Sequence, residues 1–177
     1  NVETVTINQG FGNAMSFGGG NDYVEIPAVL TNNISDFTLQ TWIKPSSSDM
    51  GSNLYAFLGN SGSPVNPTLM IGQHNSTPGH LVLRIDNDWV YSTDPIFTQD
   101  TWSHISLTKT GNIVSIYHNG ELVLNLEDLA GNVVTNGTIS VTNNQTTVSN
   151  PTIKLGTVWS TNGFNGTLDE VRIWDIA

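Results

Sequence analysis

A chain of 177 residues is one domain's worth of sequence, and its 37% hydrophobic content suffices for a buried core. Charged residues make up only 11%, so the polar surface must come from Asn, Thr, Ser and Gly, which argues against a charged helical bundle. The net charge of −10 rests on five basic residues scattered along the chain, which excludes a phosphate-binding face for nucleic acid and disfavours an anionic membrane.

In chain order, residues 22–26 alternate apolar and polar and stop at Pro27, and residues 37–43 do the same before Pro45. Residues 46–67 read as a loop rich in Ser, Gly and Pro. Residues 81–85 form a strand that turns at Asp86-Asn87-Asp88 into Trp89-Val90-Tyr91. Residues 102–108 and 113–117 are further strands, and Asn119-Gly120 supplies a type I′ hairpin turn. Leu122, Leu124 and Leu126 are expected to return on one face, residues 128–150 to be turn-rich, and residues 153–158 and 168–174 to complete the set. Strands joined by Gly, Asn and Pro turns, with no helical period, predict an all-β, antiparallel β-sandwich or jelly roll. No internal repeat or linker divides residues 1–177, which read as a single domain. Without cysteine the fold has no disulfides, and no apolar run approaches the roughly 18 residues of a membrane-spanning helix.

Two aspartates stand in phase with apolar residues: Asp22 with Val24 and Ile26, and Asp169 with Val171 and Ile173. If those residues face the core, both carboxylates point inward or sit at its rim and need a cation, hydrogen bonds or a raised pKa. Calcium, which takes six to eight oxygen ligands, is one solution, with carbonyls supplied by the run Gly18-Gly19-Gly20-Asn21. The other is that each aspartate caps a turn by accepting backbone N–H groups.

Catalytic signatures are missing. Retaining glycoside hydrolysis needs two carboxyl groups about 5–5.5 Å apart, yet no glutamate shares a strand with a second one or has Asp two residues later. There is no Cys nucleophile, Gly-x-Ser-x-Gly elbow or His-Glu-x-x-His zinc motif.

Four segments carry a family resemblance. They are Phe17-Gly18-Gly19-Gly20-Asn21-Asp22-Tyr23-Val24, Phe37-Thr38-Leu39-Gln40-Thr41-Trp42-Ile43-Lys44, Trp102 to Ile105 with Ile116 to Leu122, and Phe164 to Trp174. In that order over residues 15–176 they resemble the laminin G-like, concanavalin A-like jelly rolls of extracellular multimodular proteins. The resemblance implies two packed antiparallel sheets and, in many members, a structural calcium. Carried over by position, the ion's ligands would be Asp22 and Asp169, with a carbonyl from Gly18 or Gly20.

The expected role is a non-catalytic carbohydrate-binding module of an extracellular or cell-surface, bacterial, multimodular protein. Its partners would be a polysaccharide or glycoconjugate and other domains of the same chain, with no nucleic acid and no membrane insertion. An adhesion or protein-interaction module without a sugar site and a glycosidase-related domain are the alternatives. Sugar recognition combines an aromatic platform with a few polar side chains. Trp42, Trp102 and Trp174 fall inside the family segments and are expected to pack internally, with His104 structural. Trp89 and Trp159 fall outside and are the platform candidates; Tyr55 in the variable loop, His74 and Arg84 are secondary. Arg84 has the parity opposite to Leu83 and Ile85, which points it away from that core, either to contact an anionic sugar or, the favoured reading, into solvent.

Overall fold

The computed structural model describes residues 3–6, 13–26, 36–46, 55–60, 69–74, 77–85, 88–141, 152–157 and 163–177. Among these there are strands and turns but no helix, so no helix is long and apolar enough to cross a membrane. The first eight strands are β1 (Glu3–Thr6), β2 (Asn13–Gly20), β3 (Val24–Ile26), β4 (Phe37–Pro45), β5 (Tyr55–Asn60), β6 (Leu69–Gln73), β7 (Leu81–Ile85) and β8 (Asp88–Ser92). The remainder are β9 (Ser103–Thr110), β10 (Ile113–His118), β11 (Glu121–Leu122), β12 (Leu126–Asp128), β13 (Val133–Val134), β14 (Thr138–Ser140), β15 (Ile153–Leu155) and β16 (Gly163–Trp174).

Hydrogen bonding sorts them into two antiparallel sheets. The terminal sheet runs β1-β2-β16-β4-β9-β10, with β11 and β14 both on the far side of β10. The central sheet runs β3-β15-β5-β6-β7-β8-β12-β13. A single parallel pairing, Gly163 with Ala56, joins them. The sandwich predicted from the alternation is therefore present.

The core lies between the sheets. Leu39 and Ile43 of β4, Ile105 and Leu107 of β9, and Val114 and Ile116 of β10 meet Ile71 of β6 and Leu81, Leu83 and Ile85 of β7 in one apolar cluster. An aromatic chain crosses at the junction: Phe17 to Phe164 at 6.3 Å between ring centroids, Phe164 to Phe57 at 5.2 Å, and Phe57 to Phe97 at 5.3 Å. Gly156, at φ +90°, makes room for it, because a Cβ there would meet the Phe17 ring at 2.4 Å. At one end of the core Lys109, fully buried, donates from Nζ to the Gly111 carbonyl at 2.7 Å, and Gly111 N–H donates to Asp36 Oδ1 at 2.7 Å.

Several expectations need correction. Within the loop-rich 46–67 segment β5 begins at Tyr55, and the turns of the 128–150 stretch are interrupted by the short strands β13 and β14. Leu124 does not share a face with Leu126: it is exposed while Leu126 is buried, because the chain leaves β10 after Leu122 and crosses to pair with β8. Trp42 and Trp174 do not pack internally. They are 40% and 38% exposed on the outer face of the terminal sheet, the face that alternates with Leu39 and Ile43.

A bulge in β16 explains a further departure. Asp169 pairs with Trp42 and Arg172 with Gln40, so Glu170 and Val171 together span one residue of β4. The extra residue shifts the phase. Leu168 is the buried residue before the bulge, Val171 packs on the core after it, and Asp169 shares the outer face of Trp42. The parity that placed Asp169 inward does not survive the bulge.

Removing the ring at the junction should therefore cost far more than removing an exposed side chain. Phe164→Ala is expected to lose about 3–5 kcal/mol, and Leu129→Ala on an exposed turn about 0.5 kcal/mol or less. Urea unfolding of the two variants, compared at equal m-value, checks this.

Candidate functional site

In β6, β7 and β8 the residues between core positions face the other side of the central sheet. Two cross-strand rows result. One runs Ala56, Gly72, Val82, Tyr91, Glu127; the other runs Gly59, Met70, Arg84, Trp89. Ala56, Met70 and Val82 form a small buried cluster with Trp89 and Tyr91 packed against it. Gly72 has to be glycine, since a Cβ would lie 2.0 Å from the Tyr55 carbonyl oxygen where β5 is bulged against β6.

The result is an aromatic platform with a polar border. Trp89 and Tyr91, two residues apart on one strand, hold their rings within 7° of parallel at 6.4 Å between centroids. Both are half-buried, each leaving part of its ring uncovered. The Arg84 guanidinium lies 5.0 Å from the Trp89 ring centroid, a cation–π contact. His74 meets Tyr91 edge-on at 4.9 Å, and its Nδ1 is 2.7 Å from Thr77 Oγ1. Burial, with His80 nearby, holds the His74 imidazole below its ordinary pKa, while Glu127 opposes the shift. Burial and the charge of Glu127 together push the Tyr91 phenol up. At neutral pH the border thus presents a neutral imidazole and a phenol O–H, with the Glu127 side chain next to Tyr91 in the same row. It is a set that can exchange hydrogen bonds with hydroxyl groups.

Of the ligand residues expected from sequence, Trp89, His74 and Arg84 come together here. Arg84 does face away from the core, but it is not solvated: it is only 5% exposed, with its guanidinium against the Trp89 ring. Tyr55 is 7% exposed and pairs with Gln73, which shares the core-facing side of β6 with Ile71, so it belongs to the face opposite the platform. Trp159 lies outside the described residues. Tyr91 and Glu127 were not anticipated. Tyr91 stood two residues from Trp89, which implies a shared face, whereas Glu127 arrives through the β8–β12 pairing and had no local signal.

The four expected calcium ligands do not assemble. Gly18 pairs with Asn165, and Leu168 with Met15, so Asp169 lies four residues along β16 from the partner of Gly18, about 13 Å. Asp22 stays at the Gly18 end, where its Oδ2 accepts the Gly18 N–H at 2.9 Å and its own N–H donates to the Gly19 carbonyl at 3.3 Å. Asp169 Oδ1 accepts the Glu170 N–H at 2.8 Å on the outer face of the other end. Calcium–oxygen distances of 2.3–2.6 Å cannot bridge that gap. Both aspartates have the geometry of turn and bulge caps, and no group of three or more His, Asp or Glu among the described residues could hold a metal.

The β16 bulge has a charged lining of its own. Glu170 adopts φ +50°, a left-handed conformation rare for a non-glycine residue, and forms an ion pair with Arg172. Strain of that kind costs about 1–3 kcal/mol, and a pair this exposed returns about 0–1 kcal/mol. The ion pair therefore does not offset the strain. Beside it Trp42 lies 5.2 Å from the His104 ring, whose pKa is lowered by burial and by Arg172.

Residues 18–177 match the model of the family described as the concanavalin A-like lectin/glucanases superfamily. Among solved structures, the chain is similar to domain 4 of AbnA, a GH43 extracellular arabinanase from Geobacillus stearothermophilus, in complex with arabinotriose. The TM-score is 0.61 and the identity 17%, over 98% of this chain and 74% of that one. It is also similar to the heptameric SAP-like pentraxin of Limulus polyphemus, with TM-score 0.65, 16% identity and 92% and 75% coverage. Mouse laminin alpha1 domains LG4-5 give TM-score 0.61 and 14% identity over 90% of this chain and 40% of that one. At these identities the likeness is one of fold. No curated protein matches the chain in sequence.

The separation of the two aspartates gives a direct expectation. Stability changes from Asp22→Asn and Asp169→Asn should add to within about 0.5 kcal/mol in the double variant, with calcium and with chelator alike; strong calcium-dependent coupling would restore a shared ion. Burial raises the Asp169 pKa, with Arg172 opposing, so the ionised form is penalised in the native state. Native stability at this residue is thus regained as pH falls through the raised value. Asp169→Asn should be more stable than wild type at neutral pH, an advantage that disappears below the carboxylate range in thermal unfolding.

Proposed function

The chain belongs to the concanavalin A-like lectin/glucanases superfamily, and from that premise we propose that it is a non-catalytic carbohydrate-binding module, using the outer face of its central sheet. The observation that carries the reading is the parallel, stacked pair Trp89 and Tyr91, both part-exposed, with His74, Arg84 and Glu127 around them. A sugar ring laid against the exposed part of this aromatic pair buries its C–H face, and its hydroxyls reach the polar border.

Glu127 is the one carboxylate among the described residues in the two cross-strand rows. Acid–base or nucleophilic hydrolysis of a glycoside takes a pair, which supports binding without turnover. The Arg84 guanidinium is covered by Trp89 and the chain carries a net charge of −10, which favours a neutral glycan over an acidic one. Calcium has no part in the proposed binding, since its expected ligands stand apart. Placement of the module in an extracellular multimodular protein draws support from the company it keeps in fold, which includes a domain of an extracellular arabinanase and laminin domains.

Electrophoresis through native gels containing neutral polysaccharides, arabinan among them, is the test. Wild type should be retarded by at least one. Trp89→Ala and Tyr91→Ala should each weaken retardation about tenfold, the loss of one stacked ring, and no reducing sugar should be released. Indifference to a broad panel, or retention of full retardation in both variants, would overturn the reading.

A further inference from the structure

We propose that the domain has a second, independent sugar-binding site on the outer face of its terminal sheet, centred on Trp42 and completed by His104, Glu170 and Arg172. The site lies outside the platform of Trp89 and does not rest on it.

Trp42 stands in the middle of that sheet, on β4 between β16 and β9, yet it is 40% exposed. A large indole is open there because the neighbouring row is small and polar: Gln40 pairs with Ser106, and Thr38 with Thr108. His104, paired directly with Trp42 and tilted 56° to it, stands on one side. On the other, the bulge sets Asp169 opposite Trp42 and brings the ion pair of Glu170 and Arg172 alongside. The bulge and the left-handed backbone of Glu170 are local departures from a regular ladder, and what they accomplish is to aim this pair beside an exposed tryptophan.

The chemistry is that of sugar recognition. The indole offers a flat apolar face, the Glu170 carboxylate accepts hydrogen bonds from neighbouring hydroxyls, and the Arg172 guanidinium donates to them. The His104 imidazole is held neutral and both donates and accepts. Asp169 and Glu170 on the same bulge, in a chain of net charge −10, select a neutral sugar. The two platforms lie on opposite sides of the core, so one domain can hold two glycan chains at once.

Agglutination of arabinan-, xylan- or β-glucan-coated beads reads out two sites directly, because a monomer with one site coats beads without joining them. The protein's mass in solution is measured alongside to establish that it is monomeric. Wild type should agglutinate at least one bead type. Trp42→Ala should still coat the beads but lose agglutination, its affinity for a second bead falling about tenfold or more. Arg172→Ala alters an exposed side chain and carries the same test if Trp42→Ala unfolds. Agglutination by both variants at wild-type level, or coating without agglutination by wild type, would overturn the second site and leave the first standing. Loss in Trp42→Ala with none in Trp89→Ala would support the site at Trp42 and move the other site away from Trp89. Wild type that coats no bead overturns both.

Discussion

The edge-to-face contact of Phe57 with Phe164 is the interaction on which the rest of the molecule depends. Phe57 belongs to the central sheet and Phe164 to the terminal one, and each lies one residue from the single backbone pairing that links the sheets. Beside it the Phe164 N–H donates to the Gly156 carbonyl at 2.6 Å, and side-chain packing in the core cluster holds the rest of one sheet against the other. Packed aromatic rings prefer a few relative orientations, so a chain of four phenylalanines sets the stacking where a featureless aliphatic core would allow sliding. Once the sheets are fixed, strand geometry decides the rest. Each residue that enters the core sends its neighbours to an outer face, and both proposed platforms consist of those neighbours.

Low charge density gives the few ionic groups their meaning. Arg84 lies under an indole, Lys109 closes one end of the core through a carbonyl, and Arg172 sits on a strained bulge. The first two are withdrawn from solvent, and the third belongs to an exposed ion pair that contributes about 0–1 kcal/mol. An acidic chain whose guanidinium groups are engaged beside tryptophans repels acidic polymers at long range and presents neutral, aromatic surfaces at short range.

How much of this was legible in the sequence depends on the range of the interaction. The Asn119-Gly120 turn is a local matter, and it appears with both residues at positive φ and Tyr117 paired to Leu122, as expected. Strands ending at Pro45 and the alternation of Phe37 to Ile43 are also local, and both are seen. Phase across β16 was not legible, because a bulge inserts one residue without any glycine or proline to mark it, and Asp169 moved from core to surface as a result. Tyr91 could have been found from its spacing to Trp89. Glu127, 36 positions further along, could not, since only the crossing of the chain after Leu122 brings it to β8. Burial of Arg84 was hidden for a similar reason: alternation tells which face a residue takes, and not whether that face is covered.

The arrangement around β2 carries a mechanical consequence. Ser16 is flanked by Glu3 of β1 on one side and Thr167 of β16 on the other, and both neighbours run antiparallel to β2. The first and last strands of the fold therefore run in the same direction on either side of one shared strand. Tension drawn from the start of β1 and the end of β16 acts along the strands in opposite senses, so the rungs on both sides of β2 are sheared together and cannot be peeled open one at a time. A module tethered in this way resists pulling through its backbone ladder, whatever its aromatic faces are holding.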